Sequence, residues 1–338
     1  IGRTVTIMEF CGSHTYAIAR FGIKKMLPES VRLISGPGCP VCVTAASDVE
    51  TALHLASQDG VIFTTFGDML RVPGQDGRTM QGLRAQGADV RVVGSALDVM
   101  KIARDHPDRD VVFMGIGFET TAPTVASMIM SCRDKGMDNV SVFSVHKVIP
   151  PAVDILLDDP GLSIDGFICP GHVSTVIGYV GYARIPERKR AAVITGFEPV
   201  DILEGISMIL GQISLNSYSV ENQYVRAVRP EGNARALDVM NKAFKRVPAE
   251  WRGLGVIPES GLALRPEFAS FDALERFDVP RLDAGAPDDR GCMCGSVLRG
   301  IVQPDDCSLY GSACTPSTPM GPCMVSREGT CAAYYKCR

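Results

Sequence analysis

The chain has 338 residues, 46% hydrophobic and 21% charged, which suits a globular protein of two or three domains with a core that needs no covalent staples. Its net charge of −4 is spread with both signs interspersed, which excludes the basic stripe that tracks a phosphate backbone, so no nucleic-acid partner is expected. No stretch reaches the roughly 20 apolar residues of a membrane span and no signal-peptide pattern opens the chain, so a cytoplasmic protein is expected. In that compartment twelve cysteines point to metal or thiol chemistry rather than to structural disulfides.

Short β-branched and aromatic runs recur along the chain, each followed by helix-compatible sequence: 5–10, 31–35, 61–66, 90–94, 111–117, 140–145, 166–169 and 191–197. Continuous apolar strands alternating with helices predict parallel sheets covered on both faces. The fold class read from this is α/β, with two similar parallel-sheet units facing a central cleft. Two short repeats, ALDVM at 96–100 and 236–240 and GFE at 117–119 and 196–198, suggest a duplication, with units at 1–107 and 108–252. Beyond Pro258 the strand pattern vanishes and Pro, Gly and Cys dominate, so 253–338 reads as a separate module held by its ligands.

In open α/β sheets the ligand crevice lies beyond the carboxyl ends of the strands. The first strand is followed there by CGSH (11–14), in which Cys11 and His14 are close enough to share a metal or a proton; a buried cysteine with a capping histidine is the plainer reading. The second is followed by GPGCPVC, whose Cys39 and Cys42 suit a dithiol/disulfide switch better than zinc, because no second knuckle follows; a tight turn that merely contains sulfur is the remaining alternative. FETT brings Glu119 to the start of a predicted helix, where capping alone would explain it. His146, Lys147, Cys169 and His172 end later strands, and each is a weak signal except for this shared location.

The tail carries Cys292, Cys294, Cys307, Cys314, Cys323, Cys331 and Cys337. Starting from Cys292, a Cx14Cx6Cx16C spacing reaches Cys307, Cys314 and Cys331 and leaves Cys294 and Cys323 as a separate pair. Four thiolates suit zinc or an iron–sulfur cluster, and such wide spacing favours a [4Fe–4S] cluster over a zinc ribbon.

Taken in order, CGSHTYAIA, GPGCPVC, FGDMLRVPG, GFETTAP, CPGHVS, GFEP and the tail from CMCGSVLRG to CAAYY resemble the HypD family of [NiFe]-hydrogenase maturation. The resemblance implies a scaffold and redox factor that holds a transient mononuclear iron with a small HypC-type chaperone while it receives cyanide, from a HypE-type partner, and carbon monoxide. It further implies Cys11 as iron ligand, with the chaperone's own cysteine as co-ligand and His14 beside it. Cys39 and Cys42 become the redox pair. Cys292, Cys307, Cys314 and Cys331 would bind the cluster, beside a Cys294–Cys323 disulfide, with an exchange of Cys292 and Cys294 in these roles as the alternative. Tyr16 stands where the family carries a further histidine or methionine, Cys132 reads as structural, and Glu119 and His172 join the site. The reading from another class is a stand-alone iron–sulfur thiol–disulfide oxidoreductase that holds no mononuclear iron.

Overall fold

The structure is a computed structural model that describes residues 1–282 and 291–337. All eight predicted strands form: β1 (Val5–Glu9), β2 (Val31–Ser35), β3 (Val61–Thr65), β4 (Asp89–Val92), β5 (Asp110–Gly115), β6 (Val140–Ser144), β7 (Gly166–Pro170) and β8 (Ala191–Thr195). A short β9 (Val220–Asn222) and an antiparallel pair, β10 (Phe244–Trp251) and β11 (Gly255–Leu264), complete the set. The first eight, with β9, build two parallel sheets, in the orders β2-β1-β7-β8-β9 and β4-β3-β5-β6. Central strands such as Val61–Thr65 and Ala191–Thr195 are buried throughout, which is why they read as unbroken apolar runs.

The sheets do not follow the expected boundaries. β1 pairs with β2 on one side (Ile7 opposite Leu33) and with β7 on the other (Ile7 opposite Gly166), so the first sheet is closed by strands from beyond residue 160. β3 and β4 belong instead with β5 and β6, as a unit inserted between β2 and β7. The boundary placed at 252/253 also falls inside the β10–β11 pair, where Trp251 faces Gly255. Nor does the ALDVM repeat mark matching units, because both copies pack into one core. Val99 and Met100 of the helix Ala96–Asp105 join Met240 and Ala243 of Ala234–Ala243 over the β3–β6 sheet. The likeness of the two units is in strand order: each places its second strand outside its first and its third on the first strand's other side.

The tail has little regular structure beyond the helices Cys294–Leu298 and Thr330–Lys336. Side chains of the α/β body fasten it. Arg299 pairs with Asp159 at 2.7 Å, and Lys24 donates to Gln303 Oε1 at 3.2 Å and also meets the Tyr334 hydroxyl. Ser13 Oγ donates to Glu328 Oε1 at 2.7 Å. No helix among the described residues is long and apolar enough to cross a membrane.

Candidate functional site

In a sheet of this order the switch point lies between β1 and β7, where successive connections leave in opposite directions, and a crevice opens beyond their carboxyl ends. Cys11 occupies it as the N-cap of the helix Gly12–Arg20. Its backbone N–H donates to Glu9 Oε2 at 3.1 Å, and its sulfur faces the N–H groups of Ser13 and His14. A helix N-terminus favours thiolate, yet burial outweighs it here. With the added repulsion of Glu328, burial pushes the Cys11 thiol up to about 12. The thiol is therefore protonated unless a cation takes the proton's place.

The glycine of the CPVC loop is fixed by this neighbour. A Cβ on Gly38 would overlap the backbone of Phe10 and Cys11, and the Gly12 N–H donates to Gly38 O at 3.0 Å. The loop thus lies directly on Cys11. Within it Cys39 and Cys42 form a disulfide with Cα atoms 5.2 Å apart, and the Cys42 N–H donates to Cys39 Sγ at 3.2 Å at the start of the short helix Pro40–Val43.

On the other flank His14 Nε2 donates to the Gly196 carbonyl at 2.9 Å, with Thr195 Oγ1 at the same distance. That bond fixes the proton on Nε2 and leaves Nδ1 a buried acceptor without a partner. Burial pushes His14 down to about 4 and lowers His172 as well. Both imidazoles stack on the Phe197 ring, at 4.6 and 3.9 Å between centroids. Beside them is a cavity of about 590 Å³ lined by Ser13, Tyr16, Phe21, His172, Phe197 and Glu328. The sequence supplied Cys11, His14 and His172. Phe197 stands in the GFEP motif and Glu328 in the cysteine-rich tail, but nothing local to either residue points to the contact it makes.

In the tail Cys294 Sγ and Cys323 Sγ are 2.8 Å apart, both buried. The pair shares its proton unequally: Cys323 donates, which favours the Cys294 thiolate, and the Arg252 guanidinium adds to this. Pro322 O, one residue from Cys323, lies 3.9 Å from Cys42 Sγ, so this pair abuts the CPVC disulfide. Cys292, Cys307, Cys314 and Cys331 form the other set. Cys292 is pushed up to about 12 by burial and by the nearby charges of Cys294, Cys314 and Cys331, while Cys314 Sγ accepts the Met320 N–H at 3.3 Å. Among the described residues no three His, Cys, Asp or Glu side chains stand close enough to hold a single metal ion.

Three expected members lie elsewhere. Glu119 follows β5 in the second sheet, buried beside the Phe118–Trp251 stack, whose rings are 6.0 Å apart. It does cap a helix, but not the one that follows it: Oε1 accepts the N–H of Ile149, the first residue of Ile149–Asp158, and Oε2 has no partner. Burial pushes its carboxyl up to about 7. His146 is not at the rim of the first crevice; it packs against Phe244, 5.6 Å between ring centroids, with Nδ1 3.1 Å from Ser144 Oγ. Lys147 is buried in an ion pair with Asp48 at 3.3 Å. Cys132 and Cys169 are fully buried, and Cys337 lines a separate cavity of about 270 Å³.

The family model described as "Hydrogenase formation hypA family", HypD, matches residues 2–338. The hydrogenase maturation factor HypD2 of Bradyrhizobium diazoefficiens is 47% identical over 336 residues, covering 97% of this chain and 88% of that protein. The hydrogenase maturation factor HypD of Cupriavidus necator is 46% identical over 342 residues, covering 99% and 90%. That of Azotobacter vinelandii is 46% identical over 340 residues, covering 98% and 89%. With a match along its whole length, the chain belongs to the HypD family of hydrogenase maturation factors.

Proposed function

We propose that the protein is a scaffold and redox factor for assembly of the Fe(CN)2CO unit of [NiFe]-hydrogenase. The observation that carries the reading is the meeting, at one crevice, of Cys11, two imidazoles stacked on Phe197, and the Cys39–Cys42 disulfide, whose loop lies on the Cys11 backbone through Gly38. Iron is the substrate and Cys11 its ligand from this chain. The protonated state of the free thiol fits that role, since iron supplies the positive charge that the buried site lacks. A HypC-type chaperone contributes the second thiolate across the 590 Å³ cavity, and a HypE-type partner delivers cyanide. His14 Nδ1 is a buried acceptor that receives a proton or steadies a ligand, and His172 faces the same cavity.

Release of cyanide from a sulfur-bound thiocyanate consumes two electrons, which a dithiol at Cys39 and Cys42 supplies together. The donor set of the tail fits a [4Fe–4S] cluster: Cys292, Cys307, Cys314 and Cys331 are soft thiols whose charges oppose one another until a metal relieves them, and Met320 donates to one of the sulfurs. When bound, the cluster would supply single electrons. Cys294 and Cys323, as a dithiol, would hold two reducing equivalents for Cys39 and Cys42.

The test is infrared spectroscopy of the anaerobically purified complex with its small partner, in the cyanide and carbonyl stretching region. Bands that vanish in Cys11→Ala, while the optical absorption of the cluster persists, support the scaffold. The absence of bands, with iron counting that finds cluster iron alone, replaces it with the stand-alone thiol–disulfide oxidoreductase.

A further inference from the structure

The motif FGDMLRVPG follows β3, the strand at the switch point of the second sheet, and nothing above accounts for it. Its Arg71 ends the 3-10 turn Gly67–Arg71 and reaches across the molecule into the tail. Nη1 donates to Pro316 O at 3.1 Å and Nη2 to Val325 O at 3.0 Å. The two carbonyls lie two residues beyond Cys314 and two beyond Cys323. One planar guanidinium therefore spans the loop between a thiol of the four-cysteine set and a thiol of the relay pair. The same loop places Pro322 O 3.9 Å from Cys42 Sγ. An arginine suits this task because its fork holds two acceptors in a fixed geometry, whereas a lysine offers a single rotating charge.

We infer that Arg71 is a positioning residue for electron delivery: it holds the 316–325 loop so that the Cys294/Cys323 dithiol meets the Cys39–Cys42 disulfide. The inference rests on the relay proposed above. In the step it serves, Cys294 sulfur, the thiolate of the pair, bonds to Cys42 Sγ as the Cys39–Cys42 bond breaks. Cys323 sulfur then bonds to Cys294 and releases Cys42. One disulfide forms, one is reduced, and the two thiol protons end on Cys39 and Cys42.

The test uses the full cluster-loaded chain, photoreduced with two electron equivalents, acid-quenched at intervals, alkylated and read by mass spectrometry for each cysteine pair. In Arg71→Ala, transfer from Cys294/Cys323 to Cys39–Cys42 is expected to slow at least tenfold, with cluster absorption, thermal midpoint and reduction of Cys294/Cys323 unchanged. Arg71→Lys, which keeps the charge but not the fork, should recover only part of the rate. Wild-type transfer in Arg71→Ala overturns the inference, and so does loss of the cluster in that variant, which would make Arg71 a fastener only. Should Arg71→Ala fail to fold, Arg71→Lys decides: a wild-type rate there overturns the inference and a slowed one supports it. A wild-type protein whose Cys39–Cys42 stays oxidised while Cys294/Cys323 is reduced overturns the relay itself.

Discussion

The two parallel sheets share a strand order, yet their switch points have opposite fates. Between β1 and β7 the crevice stays open, with a cavity of about 590 Å³ at its mouth lined by Ser13, His172 and Phe197, while Cys11 and His14, on either side of Ser13 in the chain, are buried. Beyond β3 and β5 the corresponding space is filled. Phe118 stacks on Trp251, Glu119 is sealed against the helix Ile149–Asp158, and Arg71 holds the cysteine-bearing tail. The architecture thus offers two crevices, one left open beside Cys11 and the other closed by aromatic packing and by contacts to the cysteine-rich tail. Strand order alone does not say which crevice is the site; what covers it does.

The comparison can be broken most sharply at Trp251, which is fully buried and donates to Ser260 Oγ at 2.9 Å. Trp251→Ala empties the second crevice and should cost about 4 kcal/mol in chemical denaturation. If the closed crevice is purely structural filling, iron loading at Cys11 measured on the surviving folded fraction will be unchanged.

Glu119 sharpens the contrast through pH. Its carboxyl is raised from an ordinary 4.5 to about 7, so the stabilisation it carries when protonated is complete below about 4.5 and lost as pH rises through about 7. Relative to the wild type, Glu119→Gln should gain on the order of 3 kcal/mol of stability between pH 4.5 and pH 8.5. A flat difference across denaturation curves at several pH values would refute the buried-acid account.

Gly12→Ala acts on the open crevice instead. The new Cβ would meet the backbone oxygen and Cβ of Glu328, an overlap worth about 2 kcal/mol that should also displace the Ser13–Glu328 hydrogen bond. Calorimetry reads the first effect, and the accessibility of Cys11 to alkylation the second. Smallest in stability is His172→Ala, at less than about 1 kcal/mol, since that ring is exposed at the cavity. Its expected consequence is confined to the iron-bound infrared bands.

Much of this was legible in the sequence because buried parallel strands announce themselves as apolar runs and their carboxyl ends locate the crevice. The β10–β11 pair was not. Its residues alternate irregularly between buried and exposed, Pro248 and Pro258 interrupt the two strands, and the register shifts between Val247 and Ala249. Cys11, His14 and His172 were readable from position alone, and Cys294 and Cys323 from what the spacing left over. His146 was misplaced because the end of a strand does not reveal which of two sheets the strand belongs to. Glu328 and Arg71 escaped because each matters through a contact far along the chain, 315 residues from Ser13 in one case and 254 from Arg71 to Val325 in the other.

The packing of Gly12 against Glu328 also makes the crevice a product of the whole fold. The seat of Cys11 is completed by a residue 315 positions from Ser13 in the chain. A chain whose tail is undocked holds the cysteine but not the finished crevice, so docking of the tail is a condition for the crevice to take shape.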